Sequence, residues 1–214
     1  MQFLKIDKKP KFGFSKSEII TYAKSVIEKE AKGIRNLLQY INNEFANAVN
    51  EILNCKGKVV IVGLGKSGHI GKKIAASMAS TGTTAFFVHG DEMLHGDLGM
   101  IEKRDTVITI SNSGETKEII NDFPTLKKIG CKIISITSNL NSTIAKNSDI
   151  HLCIGKLEEA DHLNLAPTTS AAVTLIMGDA LALTLSYIKG FKKEDFALFH
   201  PGGNLGKGLT GKEI

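Results

Sequence analysis

Lys58-Val59-Val60-Ile61-Val62-Gly63-Leu64-Gly65-Lys66-Ser67-Gly68-His69 is an unbroken apolar run, then a glycine-rich turn, then the start of a helical pattern that continues to residue 80. The run does not alternate apolar with polar. That suits a strand buried on both faces rather than one side of an antiparallel sheet. Four similar runs follow at residues 85–88, 106–110, 133–137 and 150–154, with helical patterns between most of them, notably at 116–129. Strand and helix repeated in this way predict a parallel sheet with helices on both faces, joined by right-handed crossovers.

Working outward, residues 17–53 repeat apolar positions at helical spacing, from Ile19, Ile20, Ala23 and Val26 through Leu37, Leu38 and Phe45 to Val49 and Ile52. This reads as one long helix or two consecutive ones. Such an arm needs a partner, either another subunit or the chain's own sheet. The reading divides the chain into an arm over 1–54 and an α/β domain over 55–214, forming one structural unit. After the fifth strand come a loop near 158–167, an apolar helix to about Lys189, and a glycine-rich tail from Pro201. The most apolar stretch, 171–185, is interrupted by Gly178 and Asp179. It falls short of the roughly 20 residues a spanning helix needs, so it is read as a core helix and no membrane partner is expected.

In sheets of this kind ligands bind beyond the carboxyl ends of the strands. The first strand ends in Gly63–Gly68, a G-x-G-x-x-G pattern that raises a dinucleotide site as one alternative. Lys66 and Ser67 instead place a cation and a hydroxyl inside the turn, which suits a phosphomonoester or a reacting sugar oxygen. The third strand ends in Ser111-Asn112-Ser113-Gly114-Glu115-Thr116. Gly114 permits a positive φ or a close ligand approach. The following helix offers unpaired N–H groups and the positive end of its dipole. Ser111, Ser113 and Thr116 add hydroxyls and Asn112 an amide, more than a simple helix cap requires. The turn reads as an anion cradle.

Weaker candidates surround these. Glu118 lies one turn into the helix after the cradle. His89, His95 and Asp97 follow the second strand without metal-ligand spacing. Glu158 and Glu159 precede the apolar helix, where a general base could sit, and His200 precedes Pro201-Gly202-Gly203.

Composition bounds the partners. A net charge of +5 favours anionic ligands. Nucleic acid is not expected: there is no Trp, only three Tyr, and no basic stripe interleaved with aromatics. The three cysteines, Cys55, Cys131 and Cys153, form no C-x-x-C pair and read as small buried hydrophobes in a reducing compartment. No metal site is expected. The N-terminus lacks the apolar core of a signal peptide, so the cytoplasm is the expected location.

Read in order, Gly-Leu-Gly-Lys-Ser-Gly-His-Ile-Gly (63–71), His-Gly-Asp-Leu-Gly-Met (95–100), Ser-Asn-Ser-Gly-Glu-Thr (111–116), Leu-Ala-Pro-Thr-Thr-Ser (165–170), Met-Gly-Asp-Ala-Leu-Ala (177–182) and Phe-Ala-Leu-Phe-His-Pro-Gly-Gly (196–203) closely resemble the D-arabinose 5-phosphate isomerases of the sugar isomerase (SIS) domain superfamily. The resemblance covers essentially the whole chain. It implies an α/β three-layer sandwich of flavodoxin type with a five-stranded parallel sheet, and interconversion of D-ribulose 5-phosphate and D-arabinose 5-phosphate for the synthesis of an acidic eight-carbon sugar of lipopolysaccharide or capsule. It implies a homotetramer with sites shared between subunits, and no cofactor. It also implies catalytic roles for Lys66, Glu118, Glu159 and His200. Ser67, His95, Ser111, Asn112, Ser113 and Thr116 would bind the substrate. In the expected roles Glu159 carries the carbon proton and His200 moves oxygen protons. Lys66 stabilises developing charge, while Glu118 and His95 orient hydroxyls. Two departures stand out. Many relatives continue into a pair of nucleotide-sensing (CBS) domains, whereas this chain stops at Ile214. Where relatives read Glu-Ala-Cys-Pro-Leu-Gly, this chain has Glu159-Ala160-Asp161-His162-Leu163-Asn164.

Overall fold

Five β-branched-rich runs form the strands β1 (Val59–Gly63), β2 (Ala85–His89), β3 (Thr106–Ile110), β4 (Lys132–Thr137) and β5 (Ile150–Cys153) of a computed structural model that describes residues 13–201. They pair in parallel in the order β2-β1-β3-β4-β5. Every residue of β1 and β3 is buried, as expected of the inner strands of a doubly covered sheet. Alternate residues supply two cores. Val59 and Ile61 of β1 and Ile108 and Ile110 of β3 face one layer, while Val60, Val62 and Val107 face the other.

The first layer holds α1 (Lys16–Leu37), α2 (Asn43–Asn54), α3 (Gly65–Ser80) and α7 (Thr169–Ile188). The second holds α4 (Gly90–Met93), α5 (Lys117–Ile129) and α6 (Thr143–Asn147). A last helix, α8 (Lys193–Phe199), follows α7.

The arm is two helices separated by a single 3₁₀ turn at Leu38–Tyr40, after which the Asn42 side chain accepts a hydrogen bond from Glu44 N and restarts the helix as α2. α2 buries Phe45, Ala48, Val49 and Ile52, one helical stripe, against β5 and α7. α1 packs on α7 through its last turns, where Gly33 and Leu37 are buried. Its first half leaves Ile19, Ile20 and Ile27 exposed. By length and composition alone α7 could cross a membrane. In the fold it is the central helix of its layer, with Val173, Met177, Leu181 and Leu185 in the core.

One boundary differs from the sequence reading. α3 begins at Gly65 rather than at 69, so most of the glycine-rich turn is the helix's own first turn. The glycines serve close packing: a Cβ on Gly68 would lie 3.0 Å from the Gly63 carbonyl oxygen.

Candidate active site

β1 and β3 are neighbours whose chains leave in opposite directions, β1 into α3 in one layer and β3 into α5 in the other. The crevice between their carboxyl ends is the topological switch point, where open parallel sheets bind ligands. A cavity of about 330 Å³ lies there. Lys66 and Ser67 line it from α3, and Ser111, Asn112, Ser113 and Thr116 from the β3–α5 turn. Six of the expected site residues are therefore brought together.

The turn is internally braced. Ser111 is buried, and its Oγ lies 2.7 Å from Thr116 Oγ1 and accepts a hydrogen bond from Gly114 N at 3.0 Å. Gly114 has φ +69°, and a Cβ there would overlap the Ser142 side chain, so only glycine closes this turn. Ser113 Oγ accepts from Glu115 N at 3.1 Å. Neither Ser113 nor Thr116 caps α5: Thr116 occupies the cap position, but its side chain makes no cap bond. The amides at the start of α5 are thus left for an anion. The neighbouring Glu115 points away and accepts from Thr143 N at 2.8 Å, capping α6. The N–H and hydroxyl of Thr143 hold the Glu115 carboxyl below its usual range.

Lys66 is exposed and has no ion-pair partner among the described residues. It places a cation at the mouth of a cavity whose back wall is apolar, formed by Leu64, Ile70 and Ile110.

The opposite wall was not assigned from sequence. Pro167, Ser170, Ala171 and Thr174, at the start of α7, line the cavity. Their signal was the Thr168-Thr169-Ser170 cluster opening an apolar helix. Behind this wall lies Glu159, itself buried. Its Oε2 accepts from Thr168 N at 2.8 Å, Thr168 Oγ1 at 3.2 Å and Ser170 N at 3.2 Å, and its Oε1 accepts from Ser170 Oγ. Glu159 thus caps α7 and touches the cavity only through Ser170.

The departing loop is held by its own residues. Asp161 accepts from Leu163 N, Leu165 N and Ala166 N at 3.0, 2.9 and 2.9 Å. Its slight burial works against ionisation, but these donors bring the carboxyl below its usual range. Asn164, at φ 54°, accepts from Glu159 N at 2.6 Å.

Glu118, His95 and His200 do not line the cavity. Glu118 and His95 are exposed, near the carboxyl ends of β3 and β2. His200 lies at the other end of the sheet. It follows Phe199, whose ring stacks 6.0 Å from Phe191, and Phe191 packs on Gly82, just ahead of β2. A strand of five residues spans about 16 Å, so this chain's His200 is remote from this chain's cavity. The His200 Nδ1–H donates to Phe196 O at 2.8 Å, and its ring stacks on Phe196 at 3.9 Å.

Fold and site together define a parallel α/β protein whose switch point brings a hydroxyl-rich, uncapped helix start beside a lysine with no ion-pair partner among the described residues. Residues 52–184 match the SIS domain family, and the chain belongs to that family. An arabinose 5-phosphate isomerase KdsD of Yersinia pestis is 56% identical over 186 residues, a span of 87% of this chain and 57% of that protein. Its counterpart in Escherichia coli K12 is 49% identical over 204 residues, or 95% and 61% of the two chains. The chain thus spans about three fifths of the length of these relatives. An Escherichia coli CFT073 protein solved in complex with arabinose 5-phosphate superposes with a TM-score of 0.86 at 47% identity, covering 88% of this chain and 100% of that one.

Proposed function

We propose that the chain interconverts D-ribulose 5-phosphate and D-arabinose 5-phosphate, in the service of the acidic eight-carbon sugar of lipopolysaccharide or capsule. The observation that carries this reading is the meeting of the uncapped, hydroxyl-rich start of α5 with Lys66 in one cavity. The likeness to relatives named for this isomerisation supports it.

In this reading the phosphate sits on Ser111, Ser113, Thr116 and the first amides of α5, with Ser67 and Asn112 assisting. The carbonyl end of the sugar then lies toward Lys66 and the start of α7. Moving a proton between C1 and C2 passes through an enediol(ate), whose oxygen charge the Lys66 ammonium stabilises. The carbon proton is carried by Glu159. Both of its oxygens already accept hydrogen bonds, so the substrate must displace a donor. Ser170, which lines the cavity, is the donor it can reach. The remaining expected groups complete the site across a subunit boundary. His200 of a neighbouring chain supplies the oxygen-proton transfer that this chain's own His200 is too far away to perform, and Glu118 and His95 orient hydroxyls at the cavity mouth.

The deciding assay incubates pure protein with ribulose 5-phosphate, without cofactors, and identifies the product sugar. Arabinose 5-phosphate is the expected product. Its absence, with substrate bound but unchanged, would instead indicate a sugar-phosphate sensor.

A further inference from the structure

A second cleft, also of about 330 Å³, lies between α1 and the β5–α7 connection and shares no residue with the substrate cavity. Lys29 and Lys32 enter it from α1, one turn apart, and Lys156 from the connection. Asn36 adds an amide, and Glu158 is the single acid among the lining residues. None of the three lysines has an ion-pair partner among the described residues. Three unpaired cations facing one carboxylate leave a concave surface with a net positive charge.

The other side of the cleft is the first residue of α7. Thr169 lines it and is only 1% exposed, and its Oγ1 has no hydrogen-bond partner among the described residues. A buried hydroxyl without a partner is uncommon in a native fold and calls for an explanation. Thr169 is the first residue of α7, between the Thr168 and Ser170 amides that Glu159 caps. Gly33 brings α1 this close, since a Cβ there would collide with Thr169 Cγ2.

We infer that this cleft is a second anion site, built for a phosphorylated, multiply charged small molecule. Lys29, Lys32 and Lys156 supply charge-assisted hydrogen bonds and Asn36 an amide donor, while Thr169 closes the inner end. Thr169 faces this cleft and the next residue, Ser170, faces the substrate cavity. Likewise Glu158 lines the cleft and the next residue, Glu159, caps α7. A ligand here would act on the wall of the substrate cavity through two adjacent pairs of residues. The inference stands independently of which sugar is isomerised.

Inorganic pyrophosphate is the probe, titrated calorimetrically into the full chain. The wild type is expected to bind it. A Lys29→Ala/Lys32→Ala variant should bind about tenfold or more weakly, the loss expected from removing charge-assisted hydrogen bonds. Lys29→Arg/Lys32→Arg should restore most of the affinity. Ser113→Ala weakens any separate binding event at the substrate cradle and should change the lysine-dependent event less than about twofold by the same arithmetic. Both lysines are exposed, and unchanged thermal melting shows that the variants fold. Absence of binding, indifference to the lysine substitutions, or loss of the lysine-dependent event on Ser113→Ala would each overturn the inference.

Discussion

Asp122 is the carboxylate that the site does not use. It is buried on α5 with neither oxygen hydrogen-bonded among the described residues, and burial pushes its pKa up to about 7. The native chain therefore holds a proton that the unfolded chain releases near the ordinary value of 3.8. Stability from the neutral form is fully present below that value and is lost as pH rises toward 7. Asp122→Asn should remove this slope and raise stability at pH 8 by roughly 1–3 kcal/mol, because the amide never bears the buried charge that the carboxylate must carry there. Chemical denaturation at pH 5 and pH 8 measures it, and a wild type equally stable at both would refute the assignment. At the cradle, Ser113→Ala should raise KM for ribulose 5-phosphate about tenfold, one charge-assisted bond's worth. Lys66→Met should instead lower kcat by at least about a hundredfold, with KM little changed. Steady-state kinetics separates the two. The hydroxyl-rich turn was legible in the sequence because it is local: Ser111, Ser113, Gly114 and Thr116 fall within six consecutive residues. Asp122 was not, because its partnerless state depends on what α5 packs against.

The start of α7 shows what sequence patterns miss at the scale of an element. Apolar periodicity placed the helix but could not say that Glu159 turns back to cap it, or that Ser170 and Thr174 face the cavity. Those facts depend on where the preceding loop folds, and Asp161 and Asn164 fix that loop here. The strands were legible to within a residue because a doubly buried strand has no polar face. The start of α3 was not, because Gly63 and Gly68 signal both a loop and a close helix–strand contact. Two substitutions test this level. Glu159→Gln removes the carboxylate that collects four donors from Thr168 and Ser170, and should cost about 1–2 kcal/mol as a lost cap. If Glu159 also carries the carbon proton, turnover falls and solvent deuterium ceases to enter the product. Normal deuterium entry in a destabilised variant would leave it only as a cap. At Gly178, where α7 crosses α3, a Cβ would collide with Ile74. Gly178→Ala should therefore destabilise the fold by about 1–3 kcal/mol through overpacking, read as a lower denaturation midpoint.

For the whole molecule, the question left open by the sequence was what the arm packs against. The chain's own core takes α2 and the last turns of α1. The first half of α1 presents Ile19, Ile20, Tyr22 and Ile27 to solvent. On α7 and α8, Leu183, Tyr187, Leu198 and Phe199 are likewise exposed. Apolar surface of this extent is what the proposed contact between subunits would cover. The proposed association would also answer the placement of His200, which lies at the amino edge of the sheet while the cavity lies at the carboxyl edge. If the site is composite, a chain lacking Lys66 and a chain lacking His200 carry complementary defects. Lys66→Met and His200→Ala proteins should each be nearly inactive. Mixed in equal amounts, unfolded and refolded together, they should regain about a quarter of wild-type activity, since random closed assembly gives each site an even chance of an intact Lys66 and, independently, of an intact His200. Assay of the refolded mixture against the separately refolded parents provides the measure. A mixture no more active than its parents would overturn the idea that Lys66 and His200 meet across a subunit boundary.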